Sequence, residues 1–151
     1  MKSNILAVDL GTHLGWALDL PRGITSGVSD FSPSKGQGWG LRFLQFTNFL
    51  NTLSNNNPIR IVYFEDVRAH NGVVAAHVYG GFKAHLLAWC ERTRIPYYGV
   101  NVRTIKQHAT GTGKATKSLM IQSMRGLGFY PKDDNEADAL ALLMWAKEHG
   151  Q

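Results

Sequence analysis

The chain has one cysteine, five prolines, no long hydrophobic run and few acidic residues. A lone cysteine excludes an internal disulfide and fits a reducing, cytoplasmic setting. Within "LLAWCE" that residue, Cys90, reads as a buried structural thiol. No stretch approaches the roughly 18 consecutive apolar residues of a membrane span. The opening "MKSNILAVDL" has neither the apolar core nor the small-residue cleavage site of a secretory signal. Eleven Asp and Glu face sixteen Lys and Arg, for a formal charge of +5. That sign of excess is the electrostatic footprint of a polyanion binder and favours nucleic acid as a partner. With so few acids, their positions carry more information than their number.

What is present suits one globular domain over residues 1–151: 44% hydrophobic and 18% charged residues, with no internal repeat and no low-complexity tail. Three strands are expected first, at 4–10, 15–20 and 24–31, the last two joined through Pro21, Arg22 and Gly23. After a loop at 32–40, "LRFLQFTNFLNTLS" carries Leu41, Leu44, Phe46, Phe49, Leu50 and Leu53 at helical spacing. A strand at 59–67 follows, then a helix with Val74, Val78, Phe82, Leu86 and Trp89 along one stripe. "IPYYGVNV" (95–102) is a further strand, and a basic, glycine-containing stretch (103–117) leads into the helix "KSLMIQSMRGLG". The last helix lies within "PKDDNEADALALLMWAKEHG", capped by Asp133 or Asp134. The order βββαβαβαα predicts an α/β protein with a mixed five-stranded sheet, a three-strand antiparallel meander plus two parallel strands, flanked by helices.

Three acids stand out. Asp9 closes the first strand beside a glycine turn, Glu65 closes the fourth, and Asp138 interrupts the apolar run "EADALALLMWA". Charges in such places need a partner or a metal. The predicted sheet makes strands 1 and 4 neighbours, so Asp9 and Glu65 are expected side by side. The last helix presents Asp138, with Asn135 or Asp134 one turn earlier on the same face. Clustered carboxylates without an arginine suit Mg²⁺, which takes oxygen ligands and is commonly completed by substrate phosphate. Two ions so held can activate water and stabilise a leaving oxygen in phosphodiester cleavage. Asp133 and Glu136 also match the D-x-x-E capping box.

The carboxylate followed by G-T-x-x-G-W-A, the acid ending the fourth strand and the "EADALAL" helix together resemble the RuvC family of Holliday junction resolvases, which have an RNase H-like fold. "VRTIKQHATGTGKATKSLMIQSM" is similar to the family's basic segment. The resemblance runs from about residue 4 to 146 and implies a crossover junction endodeoxyribonuclease acting in recombination and repair. It implies Asp9, Glu65 and Asp138 as metal-binding catalytic acids, Asp9 shared between two Mg²⁺ (or Mn²⁺) ions. It also implies Lys106 and Lys117 beside the scissile phosphate. The family's fourth ligand falls at Asn135, flanked by Asp134 and Glu136, and any of the three is open as that ligand. Arg68, His70, Arg103 and Lys114 join the two lysines as expected DNA contacts, with Arg68 where the family carries an aromatic that stacks on a base.

The short length resembles phage-type or minimal members, which act as homodimers. Resolution of a four-way junction needs two symmetry-related sites, and a two-fold dimer supplies them. Gly80 and Gly81 inside the second helix point to a close approach to the sheet or to a partner, so residues 73–90 are an expected dimer contact. His70, His77 and His85 read as surface or backbone contacts, and no metal-ligand spacing links the six histidines. Alternatives are a branched or flap DNA endonuclease of the same fold and a non-catalytic junction-binding module. An actin-like ATPase needs two such domains and does not fit 151 residues.

Overall fold

The computed structural model describes residues 3–151. Strands β1 (Ile5–Asp9), β2 (His13–Leu20) and β3 (Gly23–Asp30) form an antiparallel meander. Strands β4 (Ile61–Asp66) and β5 (Tyr97–Asn101) add in parallel on the other side of β1, giving the order β3-β2-β1-β4-β5. This is the predicted mixed sheet. Helices α1 (Leu41–Asn56) and α2 (Val73–Thr93) cover one face; α3 (Val102–Thr110), α4 (Lys117–Gly126) and α5 (Asp134–His149) cover the other.

Strand periodicity divides the core in two. Successive side chains point to opposite faces. Leu6 and Val8 of β1, with Val62 and Phe64 of β4, therefore join Phe46, Leu50, Phe82, Leu86 and Trp89 from α1 and α2. The alternate residues Ile5, Ala7 and Tyr63 meet α5 through Ala137, Leu140, Ala141 and Leu143, with Met120 and Met124 of α4 behind them. The α5 layer is rich in alanine, and so is the sheet beneath it at Ala7 and Ala17. Small residues on both sides let the helix lie close to the strands. Gly15 extends that stripe, and a methyl group there would overlap the main-chain carbonyl of Asn135. Gly15→Ala is thus expected to destabilise by about 1–3 kcal/mol or more, because backbone rather than a side-chain tip must move. Thermal melts of the purified variant check this; an unchanged Tm would contradict the close approach.

Some sequence expectations need correction. The order βββαβαβαα omits a helix in the basic stretch 103–117: α3 starts directly after β5. The Asn101 side chain caps it by accepting the Arg103 N–H at 2.8 Å, and Gly111, in the left-handed region, ends it. Leu44 and Val74, expected on the inner stripes, are exposed, at 62% and 65%. Gly81 leaves room for the Phe43 ring of α1, and a side chain at Gly80 would meet open space. Gly81 therefore has an explanation within the chain, in α1–α2 packing, and nothing among the described residues explains Gly80. Asp133 is the α5 cap, its carboxylate accepting the Glu136 N–H at 2.9 Å. The box is not closed in return, because Glu136 accepts from the Ser26 hydroxyl (2.7 Å) and the Lys132 N–H (2.8 Å).

Candidate active site

Val8 pairs with Phe64, so Asp9 and Glu65 come next along two adjacent parallel strands, both at carboxyl ends. Each is in phase with the residues that face α5: Ile5 and Ala7 before Asp9, Ile61 and Tyr63 before Glu65. Asp138 lies on α5, whose first turns pack over β1 and β2. Alternation on two strands and one helix face is thus enough to bring the three acids together. Their ligand oxygens all lie within 4.8 Å of one another.

Among the described residues, none of the three makes an ion pair with Lys or Arg. Burial first, then Glu65 and Asp138, hold the Asp9 carboxyl well above its ordinary range. Burial also raises Glu65, against the opposing pull of its hydrogen bond with Asp9 and of Lys106. Asp138 is pushed up to about 7 by burial, then by Glu65 and Asp134, while Lys106 and Lys117 pull the other way. Three carboxylates crowded until their ionisation is opposed, with oxygen as the donor element throughout, fit a hard divalent cation.

The surrounding acids are differently engaged. Asp134 lies close enough to raise both Asp9 and Asp138, and its carboxylate pairs with Lys117 Nζ at 3.7 Å. Asn135 sits beside it in the same first turn, half-buried. Glu136 is turned to Ser26 and Lys132, outside the three-acid group. Asp66, next to Glu65 in the chain, points to the opposite side and pairs with Lys83 (3.2 Å) and Arg68 (3.7 Å).

Around the acids the cations fall into two sets. Lys106 and Lys117 act on the acids themselves. Arg68, Arg103 and Lys114 line a neighbouring groove of about 430 Å³, with Arg103 lying across Gly113. His70 is placed otherwise than expected: it is half-buried with its ring 4.8 Å from that of Tyr79. His85 stacks on Phe43, and His77 is exposed.

One positioning residue escapes a reading of the sequence. The Tyr79 hydroxyl donates to the Glu65 carbonyl at 2.7 Å and accepts the Val67 N–H at 3.0 Å. It pins the strand end from which the Glu65 carboxylate projects. The available signal was a tyrosine on the inner face of α2, since a buried hydroxyl needs partners.

No protein-family model matches the chain. It is 29% identical over 146 residues to the crossover junction endodeoxyribonuclease RuvC of Halothermothrix orenii, covering 91% of this chain and 88% of that protein. To the RuvC of Caldicellulosiruptor saccharolyticus it is 28% identical over 102 residues, covering 66% and 61%. Among solved structures, Thermus thermophilus RuvC in complex with a Holliday junction substrate superposes with a TM-score of 0.76 at 19% identity, over 97% of this chain and 96% of that one. The yeast mitochondrial Holliday junction resolvase Ydc2 superposes with a TM-score of 0.63 at 14% identity, over 98% and 82%. The chain has the RNase H-like fold of these resolvases, and its sequence likeness to RuvC is nearly end to end.

Proposed function

We propose that this chain is a RuvC-like, metal-dependent endonuclease that resolves four-way DNA junctions, its 151 residues acting as one nuclease domain. One observation carries the reading: Asp9, Glu65 and Asp138 converge, with no Lys or Arg ion pair among the described residues, in a chain similar to RuvC over 91% of its length. These three residues would hold the metal, with Mg²⁺ as the proposed ion. Glu136 is committed to Ser26 and Lys132, which leaves Asp134, felt by both Asp9 and Asp138, or Asn135 as the fourth ligand. A metal held there would supply Lewis acidity for phosphodiester hydrolysis by water.

The chain's own residues supply the rest. Lys106 and Lys117, already felt by the acids, offset charge that develops on the phosphate. Arg68, Arg103 and Lys114 hold the DNA backbone along the groove, and Arg68, paired with Asp66 yet 80% exposed at its side chain, offers its guanidinium face to a base. His70 braces Tyr79. A two-fold homodimer presents two such sites to symmetry-related strands. The cytoplasm is the proposed location, supported by the lone buried thiol. No helix among the described residues is long and apolar enough to cross a membrane.

The test is cleavage of a labelled synthetic four-way junction in Mg²⁺ beside flap and linear duplex DNA. Paired, symmetric nicks in the junction alone are expected. Equal cutting of the flap would replace the junction reading with a general branched-DNA nuclease. Affinity should also fall with salt, at a log–log slope of about −0.9 per phosphate neutralised. Lys114→Ala is expected to reduce the magnitude of that slope by about 1 while leaving the low-salt nicking rate near that of the parent. A slope unchanged by Lys114→Ala would remove this residue from the DNA contact surface.

A further inference from the structure

Chain spacing links none of the six histidines as metal ligands, yet the fold joins two of them. His108 stands in the last turn of α3; Glu148 and His149 stand at the end of α5. Packing of α3 against α5 brings the ligand atoms of all three within 4.8 Å of one another. His108 Nε2 lies 2.8 Å from Glu148 Oε2, and His149 Nε2 lies 3.7 Å from Glu148 Oε1. Ligand atoms on a tetrahedral ion with bonds of about 2.0–2.1 Å stand roughly 3.3–3.5 Å apart, so small side-chain rotations suffice.

The surroundings favour a metal over a simple ion pair. Lys147, the basic neighbour of Glu148, is committed to Asp19 at 3.0 Å, leaving Glu148 facing only the two imidazoles among the described residues. The His149 ring rests against Trp145 at 5.8 Å, and the two histidine rings meet edge to face at 5.2 Å. Both rings are therefore held in place before any ion arrives. Glu148 is 65% exposed at its side chain, so solvent can complete the coordination. Two imidazoles and one carboxylate suit a borderline transition ion better than Mg²⁺ or Ca²⁺, which prefer oxygen alone.

We propose that His108, Glu148 and His149 form a second metal site, separate from the acidic cluster and selective for a transition ion of the Zn²⁺ class. Such an ion ties the end of α3 to the end of α5, the two helices that carry Lys106 and Asp138.

Calorimetric titration with Zn²⁺ in excess Mg²⁺ tests this on the full chain, comparing the parent with Asp9→Asn, His108→Gln and His149→Gln. One saturable event is expected, retained in Asp9→Asn and weakened at least about 10- to 100-fold in each histidine variant, since a direct ligand should matter no less than an outer-shell partner. Co²⁺ in place of Zn²⁺ should give a visible absorption band that both histidine variants lose. A Zn²⁺ event lost in Asp9→Asn and kept in the histidine variants assigns the ion to the carboxylates and overturns the proposal, as does no saturable event at all. Should His108→Gln fail to fold, His149→Gln decides alone, its side chain being half exposed near the chain's end.

Discussion

Asp9→Asn is expected to lower the junction nicking rate by about three orders of magnitude or more while leaving junction affinity close to that of the parent. The side chain stands between Glu65 and Asp138, where it feels both, and no other described residue can take its place at the end of β1. A metal contributes several kcal/mol to transition-state stabilisation, and about 1.4 kcal/mol corresponds to each factor of ten. Asparagine keeps the shape and one oxygen, so the fold should persist. Removing one of three crowded carboxylates also relieves repulsion. Rates are read in Mg²⁺, and affinity by anisotropy of a labelled junction without divalent ions. Full nicking by the variant would remove Asp9 from the chemistry. Loss of affinity in parallel with rate would make it a binding residue instead.

Asp138→Asn should make the metal-free protein more stable at pH 8 and no more stable at pH 4. The ordinary value for this carboxyl is 3.8 and the folded one about 7. Between those limits the folded chain keeps a proton that the unfolded chain releases. Stability therefore falls as pH rises through that window, by an amount of the order of 4 kcal/mol. The charge that costs this free energy is absent from the asparagine variant. For a chain of this size each kcal/mol corresponds to about 2–4 °C in Tm. Melts in EDTA across pH 4–8 give the comparison directly. Adding Mg²⁺ at pH 8 should return stability to the parent and much less to the variant, because an ion bound only by the folded state stabilises it. A variant that melts below its parent at pH 8 in EDTA would mean that the Asp138 charge is not a burden in the folded state.

The features that could be read ahead of the structure are those with a short period. The meander, the neighbouring of β1 and β4 and the facing of Asp9, Glu65 and Asp138 follow from alternation on strands and the 3.6-residue repeat of one helix. The misreadings share a different origin. Helix α3 is nine residues long, and its stripe of Val102, Ile105 and Ala109 spans little more than two turns, too short for periodicity to separate it from a basic loop. Leu44 and Val74 match a helical stripe yet lie outside it, since periodicity finds a face without saying where its edge falls. Gly81 is explained by Phe43, and His108 by residues forty positions away. The partners of Tyr79 belong to the same class. These are pairings of side chains from distant segments, set by helix-on-sheet packing that no local pattern encodes. The roles given to Lys106, Lys117, Arg68, Arg103 and Lys114 came from resemblance, with the grouping of positive charge near the acids as their physical support.

Cys90 sits on the inner side of α2 with no exposed surface, and burial pushes its thiol up to about 12. At neutral pH it is neither ionised nor reachable, so maleimides and iodoacetamides should pass it by. The native chain is therefore silent toward thiol chemistry without any replacement in its core. A single cysteine placed at exposed Ser118, in the first turn of α4 beside Lys117, would be the one reactive handle. A dye attached there turns the folded protein into an optical reporter of DNA arrival, with its interior left as nature packed it.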